Sequence, residues 1–357
     1  MSTAEARRLA MVAGLLERGE LSPAWRPALE QVPRHAFIPD RVWVHEEQAH
    51  GPDLMPLDRD QDPQRWLEMS YANDPVFTQV DDGQPDEHGR GREVTSSASM
   101  PAVVAQMLDA LRAEPGMNVL EIGTGTGYNA ALVAHRLGAD HVVSVEVDDA
   151  VAEQARQRLT AQRLPVRVVT GDGTLGWAQA APYDRVLATV AARQIPYAWI
   201  GQTRPGGLVL LPWGTEWYPS ALLRLEVGAD HIGRGRIIGP ASFMLLREQR
   251  VTRWIADILG TGQVVYSTTD LHPWYVASPD QFDAATTVGL RVPGCRQFFD
   301  DGDLHLIDSA TRSWGKSPSP TRRPTPSNKG EPANCGTRCW PRTSGGASTT
   351  SHGWPTG

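Results

Sequence analysis

The chain has 357 residues, of which 40% are hydrophobic and 21% are charged, a composition typical of a globular protein and not of a disordered or collagen-like one. Its length is sufficient for two domains of about 150 residues each. The formal net charge of −7 argues against binding along a nucleic-acid backbone, and the three cysteines are too few for a disulfide framework.

The amino-terminal residues bear on where the protein resides. The first 20 residues include Glu5, Glu17 and Glu20, whereas a signal peptide needs an uninterrupted apolar core. No run of about 18 apolar residues occurs in the sequence, so no transmembrane segment is predicted. The sequence therefore predicts a cytoplasmic protein.

Residues 1–95 are predicted to form an amino-terminal helical segment on the substrate side of the protein. Leu9, Val12 and Leu15 recur at helical spacing and predict a helix over residues 4–18. A second, short helix is predicted over residues 64–71. The surrounding residues 40–93 are rich in Asp, Pro, Gly and Gln, which is typical of solvated loops.

Residues 96–245 have the pattern of an α/β domain, because short apolar strands alternate with helices of about ten residues. Helices are predicted at 101–111, 128–137 and 150–159. Strands are predicted at 118–122, 141–146, 166–170, 184–188 and 207–212, with 221–226 and 236–238 as later strands of the same sheet. This order predicts a doubly wound, largely parallel sheet.

Residues 246–312 are predicted to be a small carboxy-terminal appendage, whose fold the sequence does not determine. From Ser313 to Gly357 there is no Leu, Ile, Val, Met, Phe or Tyr, and the segment carries a net charge of +5 against −12 for residues 1–312. Such a segment cannot bury enough apolar surface to offset its chain entropy. We therefore predict a disordered tail. Either the reading frame of the gene has changed, which we favour, or the basic tail binds an acidic partner.

A glycine-rich turn follows the first predicted strand of the α/β domain and precedes a helix. Backbone N–H groups in such a turn, together with the helix N-terminus, bind the polar groups of nucleotides. The dinucleotide fingerprint G-x-G-x-x-G is not met, because Tyr128 stands where the third glycine belongs and the glycine is at Gly127. The absence of Gly-Lys-Ser/Thr from this turn also excludes a phosphate-binding P-loop.

Two acidic residues follow at the ends of the next two strands. Glu146 comes 23 residues after Gly123, where a carboxylate can accept hydrogen bonds from both ribose hydroxyls of an adenosine. Asp172 follows the third strand and can accept from an adenine amino group. Either residue alone is more often a solvated strand end, so the prediction depends on the ordered set, which includes Asp184 at the start of the fourth strand. Since no cluster of Arg or Lys surrounds the glycine loop, the set predicts S-adenosyl-L-methionine and not a pyrophosphate cofactor.

At these residues the sequence resembles the protein-L-isoaspartate O-methyltransferases, from about residue 5 to residue 245. The segments that carry the resemblance are Val32–Pro39, Ser97–Pro101, Val119–Ala130, Gly171–Gly176, Pro182–Asp184 with Ala191–Ala192, and Gln202–Pro212. The glycine loop is common to many methyltransferases, whereas the two upstream segments, Val32–Pro39 and Ser97–Pro101, are much more specific to this family. The resemblance implies a Rossmann-like class I methyltransferase fold, with S-adenosyl-L-methionine as the cofactor.

The predicted cofactor-binding residues lie at the ends of three strands and are Glu121, Gly123, Thr124, Gly125, Gly127, Glu146, Asp172 and Gly173. By the resemblance, residues 123–125 wrap the methionyl part of the cofactor, Glu146 holds the ribose, and Asp172 with Gly173 holds the adenine.

Ser99 and Ser97 are the predicted catalytic residues, again by the resemblance. Ser99 stands at the family's serine beside the transferred methyl group, and Ser97 stands at the threonine that precedes it. The alternative is that the serines of 96–99 cap the helix that begins near Pro101, and one residue can have both roles. Arg34 and His35, in a proline-bracketed turn, are more often structural than in contact with substrate.

No metal site is predicted. Cys335 and Cys339 form a pair at the spacing of a metal motif, but no second pair follows them, and His352 alone does not complete four ligands.

The predicted function is transfer of a methyl group to the carboxylate of an Asp or isoAsp residue in a peptide or protein, with no nucleic acid or membrane as partner. The family includes compact members that repair damaged proteins. The chain also resembles longer actinobacterial relatives associated with ribosomal-peptide maturation, including lanthipeptide and ATP-grasp-linked methyltransferases. The insertion at 40–95 and the added residues 246–312 favour maturation. The oligomeric state is not determined by the sequence.

Three alternatives lie outside this prediction. An NAD-dependent or nucleotide-sugar oxidoreductase would have the same kind of sheet, but this chain lacks the third glycine of the dinucleotide-binding motif. A nucleic-acid methyltransferase is disfavoured by the acidic chain and by residues 188–191, Ala-Thr-Val-Ala, where a catalytic Asn/Asp-Pro-Pro-Tyr turn would stand. An inactive module that binds cofactor and peptide would be consistent with a carboxy-terminal region that lacks apolar residues.

Overall fold

The computed structural model describes residues 2–45, 54–250, 263–268, 272–278, 280–300, 303–308, 311, 313–317 and 336–342. The chain divides into two compact units. Unit 1 comprises residues 1–213 and 220–250, and unit 2 comprises residues 214–219 and 251–357.

Unit 1 contains seven of the described helices and two sheets. Its helices are α1 (Thr3–Glu17), α2 (Arg26–Gln31), α3 (Pro63–Tyr71), α4 (Pro101–Leu111), α5 (Tyr128–Leu137), α6 (Asp149–Ala161) and α7 (Tyr197–Gly201). The predicted helices over 4–18, 64–71, 101–111, 128–137 and 150–159 are confirmed by α1, α3, α4, α5 and α6.

The larger sheet has seven strands and confirms the predicted α/β fold. These strands are β5 (Val119–Ile122), β6 (Val142–Glu146), β7 (Arg167–Thr170), β8 (Tyr183–Ala188), β9 (Thr203–Trp213), β10 (Ala221–Val227) and β11 (Gly233–Pro240). Their spatial order is β11-β10-β9-β8-β5-β6-β7. The pairs from β7 to β9 are parallel, whereas β10 pairs antiparallel with both β9 and β11. The strand order reverses between β8 and β5, and ligands of doubly wound sheets bind at that switch point.

The strands β5 and β6 are buried at every residue, because helices cover both faces of a parallel sheet. Large apolar side chains pack on either side of the sheet. Leu108, Leu132 and Leu159 belong to the cluster on one side, and Trp199 and Leu211 to the cluster on the other.

A second sheet of four antiparallel strands lies in the segment predicted to be mainly helix and loop. Its strands are β1 (Arg41–His45), β2 (Leu54–Asp58), β3 (Val76–Val80) and β4 (Val94–Ala98), in the order β2-β1-β3-β4. Val42, Trp66 and Val76 form the centre of its own apolar cluster. The sheet ends on β4, which leads into α4 and carries Ser97.

Unit 2 contains two short helices, α8 (Trp274–Ala277) and α9 (Phe282–Arg291), and a five-stranded sheet. The strands are β12 (Gln263–Thr268), β13 (Cys295–Asp300), β14 (Asp303–Asp308), β15 (Ser313–Ser317) and β16 (Gly336–Arg342), in the order β12-β16-β15-β14-β13. Trp217, Ala285 and Leu304 are part of its apolar cluster.

The last two strands, β15 and β16, lie in residues 313–357, which the sequence analysis predicts to be disordered. β15 pairs with β14 from Ser313 to Ser317, and β16 pairs with β12. Strand pairing satisfies backbone N–H and C=O groups, so it does not require the large apolar side chains that this segment lacks. The remaining residues of the tail, including Cys335, lie outside the described residues.

Candidate active site

A cleft opens in unit 1 at the carboxyl ends of the parallel strands β5 and β6, against the end of β4. The empty space between its lining residues, with the open solvent at its mouth included, is about 970 Å³. Of the ten residues predicted to bind cofactor or substrate, seven line the cleft: Ser97, Ser99, Gly123, Thr124, Gly125, Glu146 and Gly173.

The turn after β5 can be built only with glycine at its first position. Gly123 has φ +91°, and a Cβ there would lie 2.6 Å from Cγ1 of Val190. Its N–H donates to the carbonyl of Val145 at 2.8 Å, which ties the turn to β6. The backbone at this point therefore borders the cleft without a side chain between it and a ligand.

Glu146 is held at the end of β6 by backbone amides. Its carboxylate accepts from the N–H of Gly125 at 2.9 Å and from the N–H of Asp148 at 3.2 Å. Burial raises the pKa of Glu146, and these two hydrogen bonds oppose that change. Each carboxylate oxygen has two acceptor positions, so Glu146 can still accept from a pair of hydroxyls in the cleft.

Glu121 is among the predicted cofactor-binding residues but does not line the cleft. It is fully buried beneath the glycine turn. Its carboxylate accepts from Nδ2 of Asn129 at 2.6 Å and from the hydroxyl of Ser144, which in turn lies 2.6 Å from Oγ1 of Thr124. Burial raises the pKa of Glu121 to about 7, against the effect of both hydrogen bonds. Glu121 therefore contacts the turn through Ser144 and Thr124.

Gly127 and Asp172 also lie outside the cleft lining, for different reasons. Gly127 has φ +87°, a backbone conformation that residues with a side chain rarely adopt, while a Cβ there would make ordinary contact with Leu159 at 3.4 Å. Asp172 accepts from the N–H and the hydroxyl of Thr174, at 2.8 and 2.7 Å, and so caps the helical turn that follows. Its neighbour Gly173 does line the cleft.

Ser97 and Ser99 line the same cleft as Glu146. Both are half-buried, and a Cβ on Gly125 would lie 3.6 Å from the carbonyl oxygen of Ser97. The structure contradicts the alternative that these serines cap α4. The N-cap residue is Met100, without a side-chain hydrogen bond. The hydroxyls therefore have no capping role.

Arg34 and His35 do not line the cleft. Arg34 is fully buried and donates only to backbone carbonyls, two of which belong to Ala98 and Ser99. Nδ1 of His35 lies 2.6 Å from the hydroxyl of Tyr71.

Sequence reasoning missed a cluster of charged and polar residues at the rim of the cleft, which we call the Asp82 cluster: Gln79, Asp82, Asp148, Arg247 and Arg250. Asp82 accepts from Arg247 at 3.0 Å and from Arg250 at 3.0 Å. Asp148 accepts from Gln79 at 3.1 Å and from Arg247 at 3.3 Å. The only sequence signal is at Asp148, an N-cap residue two positions after Glu146.

Within the described part of the chain, no group of three or more His, Cys, Asp or Glu side chains is arranged to hold a metal ion. In the same residues, no helix is both long and apolar enough to cross a membrane.

Comparison with known proteins agrees with this geometry. Residues 64–229 match the family model described as protein-L-isoaspartate(D-aspartate) O-methyltransferase. A protein-L-isoaspartate O-methyltransferase of Polaromonas is 36% identical over 236 residues, which are 63% of this chain and 92% of that protein. One from Methanothermobacter thermautotrophicus is 34% identical over 242 residues, 67% of this chain and 94% of that protein.

Two solved structures share the fold. One, a protein-L-isoaspartate O-methyltransferase, has a TM-score of 0.52 at 19% identity and covers 94% of this chain and 88% of its own. The other, from Plasmodium falciparum and described as an isoaspartate methyltransferase in complex with S-adenosyl-L-homocysteine, has a TM-score of 0.51 at 12% identity. The match covers 70% of this chain and 100% of the Plasmodium falciparum chain.

Proposed function

The chain belongs to the protein-L-isoaspartate O-methyltransferase family, whose members are carboxyl methyltransferases that use S-adenosyl-L-methionine, and we propose that it methylates the free carboxylate of isoaspartyl residues in polypeptides. The observation that carries this proposal is the placing of Ser97 and Ser99 in the same cleft as the glycine turn and Glu146.

The cleft has the features that the cofactor requires. Gly123, Gly125 and Gly173 line the cleft without side chains, and Glu146 belongs to the same lining. A Cβ at 123 or 173 would clash with Val190 or Ile122. Residues 123–125 would hold the methionyl part and Glu146 the ribose. When bound, the sulfonium of S-adenosyl-L-methionine supplies the methyl group.

The acceptor carboxylate needs no general base, because the free carboxyl of an isoaspartyl residue is an α-carboxyl, with a reference pKa of about 3.3–3.7, and is ionised at neutral pH. The protein must instead align the carboxylate with the methyl group at about 3–3.5 Å and exclude water. We assign this role to the hydroxyls of Ser99 and Ser97, which can donate to the carboxylate oxygen that does not attack. Neutral donors suit this task, because a cation would stabilise the nucleophile more strongly and so reduce its reactivity.

Maturation of a ribosomal precursor peptide is the second candidate. It is favoured by the additional length of the chain, since the Polaromonas relative matches over 92% of its own length but only 63% of this chain. We rank it second because one solved isoaspartate methyltransferase shares the fold over 94% of this chain, so added length by itself does not indicate maturation.

The test is methyl transfer, followed by intact mass, to two peptides that differ only in Asp against L-isoAsp. A precursor peptide encoded beside the gene is the third substrate. Methylation of the isoAsp peptide alone supports repair. Methylation of the precursor alone, or its methylation and later loss of methanol, supports maturation. No product on any peptide, with cofactor still bound, would overturn both and favour an inactive binding module.

A further inference from the structure

Arg34 connects the amino-terminal segment to the point where Ser99 enters the cleft. Its side chain has no exposed surface, and its guanidinium donates to four backbone carbonyls. These belong to Ser70 at 2.7 Å, Asp74 at 3.2 Å, Ala98 at 3.2 Å and Ser99 at 3.0 Å. The same guanidinium nitrogen, Nη2, contacts the last three.

Two of these carbonyls are successive and lie at the junction between β4 and α4. β4 ends at Ala98 and α4 begins at Pro101, so the intervening residues have neither a strand nor a helix to fix them. Fixing the carbonyls of residues 98 and 99 fixes both peptide planes that flank the Cα of Ser99. The direction of its side chain is then set.

A second contact anchors the same junction from the same neighbouring segment. Oδ1 of Asn73 accepts from the N–H of Ala102 at 2.9 Å, one residue before the Asp74 carbonyl that Arg34 binds. The loop after α3 and the β4–α4 junction are thus connected on both sides of Ser99.

We propose that Arg34 is a positioning residue for methyl transfer, which fixes Ser99 against the cleft through the carbonyls of Ala98 and Ser99. The inference rests on the proposed function in one respect, the role of Ser99 toward the acceptor carboxylate. Arg34 itself touches neither cofactor nor substrate. Arg34 therefore affects the alignment of the reacting groups and not the affinity for the cofactor.

Arg34→Lys is the informative substitution. Lysine keeps the positive charge but has three donors on one nitrogen, whereas arginine has five donors in a planar fork. A lysine can therefore satisfy some of the four carbonyls but cannot hold all of them in one plane.

Arg185→Lys is the matched control. Arg185 is also buried and also donates to backbone carbonyls, those of Leu111 at 2.8 Å and Arg112 at 3.0 Å, but it does not line the cleft or contact residues 97–100. Both variants lose part of a buried guanidinium network, so a general loss of stability appears in both.

We expect Arg34→Lys, and not Arg185→Lys, to increase hydrogen exchange in peptides covering residues 94–104. We also expect kcat to fall by ~10–100-fold, the scale associated with a misplacement of about 1 Å, while the cofactor Kd changes by less than about twofold. In a Ser99→Ala background, Arg34→Lys should cause little further loss of kcat, because both act through one hydroxyl.

The inference is overturned if the two lysine variants behave alike in exchange at 94–104, or if Arg34→Lys lowers kcat equally with and without Ser99. If the wild type methylates no peptide, the proposed function fails, and hydrogen exchange alone then decides whether Arg34 fixes the junction.

Discussion

Ser99 lies half-buried at the turn between β4 and α4 and lines the same cleft as Glu146. A hydroxyl there can rotate toward an incoming carboxylate, because its oxygen is not committed to capping the helix. At the scale of single residues, this freedom is what makes Ser99 available to the acceptor.

Ser99→Ala should lower kcat for isoAsp peptides by ~10-fold or more, in line with the loss of one donor that positions a reacting group. The cofactor Kd should stay within about twofold, since residues 123–125 and Glu146 are unchanged. Ser99→Thr keeps a hydroxyl and should retain more activity than Ser99→Ala. Equal turnover of the alanine variant and the wild type would remove Ser99 from the active site.

Glu121 gives a prediction about pH. Burial raises its pKa to about 7 in the folded protein from an ordinary value of 4.5. Below pH 4.5 the carboxyl is protonated in both the folded and the unfolded chain. Between pH 4.5 and 7 it ionises first in the unfolded chain, so the folded protein loses stability as the pH rises, by roughly 3 kcal/mol in total from this group.

Glu121→Gln removes that titration and should flatten the dependence. Urea unfolding of the wild type and the variant at pH 5, 6, 7 and 8 measures the difference in free energy of unfolding. The wild type should lose stability relative to the variant as the pH rises to 7, and should show little further change above it. A difference that is constant with pH would contradict the raised pKa.

At the scale of elements, the Asp82 cluster connects three separate parts of unit 1. Asp82 follows β3, Asp148 caps α6, and Arg247 with Arg250 follows β11. Because the cluster lies at the rim of the cleft beside Glu146, its ion pairs restrain the elements that border a bound cofactor.

Asp82→Asn should increase the dissociation rate of S-adenosyl-L-homocysteine by ~2–5-fold, since a partly exposed ion-pair network contributes up to about 1 kcal/mol. In the wild type, added salt should increase the dissociation rate, because it screens these pairs, and the variant should respond less. Asp230→Asn is the control, because Asp230 pairs with Arg234 away from the cleft. Identical salt dependence in wild type and Asp82→Asn would contradict this assignment.

The elements that the sequence predicts are those whose pattern is local. β5 to β8 and the glycine turn are encoded by apolar runs and by glycines that lie within a few residues of each other. The sheet β1–β4 is not predicted, because its strands are short and include polar residues such as Thr78 and Gln79. The approach of residues 244–250 to the cleft is likewise not encoded locally, since it depends on how the chain returns after β11.

The cofactor site shows the same division between local and tertiary information. The sequence places Glu121 in the glycine motif but cannot say that its side chain points beneath the turn and not into the cleft. That outcome depends on Ser144 of the neighbouring strand, whose hydroxyl contacts both Glu121 and Thr124.

At the scale of the whole molecule, the chain consists of two units, and every residue that lines the cleft belongs to unit 1. Ligand binding stabilises the part of a protein that holds the ligand. Unit 2 has its own apolar cluster, around Trp217 and Leu304.

S-adenosyl-L-homocysteine should therefore slow hydrogen exchange around residues 94–100, 121–127 and 146–148, and leave the exchange of residues 280–300 in unit 2 unchanged. Mass spectrometry of the full chain, with and without the ligand, measures both. Protection of unit 2 equal to that of unit 1 would contradict a cofactor site confined to unit 1.

The lining of the cleft draws on both sheets. The parallel sheet and the turn after β5 supply Gly123, Gly125 and Glu146, whereas Ser97 is on the antiparallel sheet and Ser99 directly follows it. Mutations at the carboxyl end of β4, which leave Gln79 and Asp82 in place, can accordingly alter the choice of acceptor without disturbing the donor side. Evolution, or an engineer who exchanges residues 97–100 between relatives, could redirect this enzyme to new polypeptides while its methyl donor stays the same.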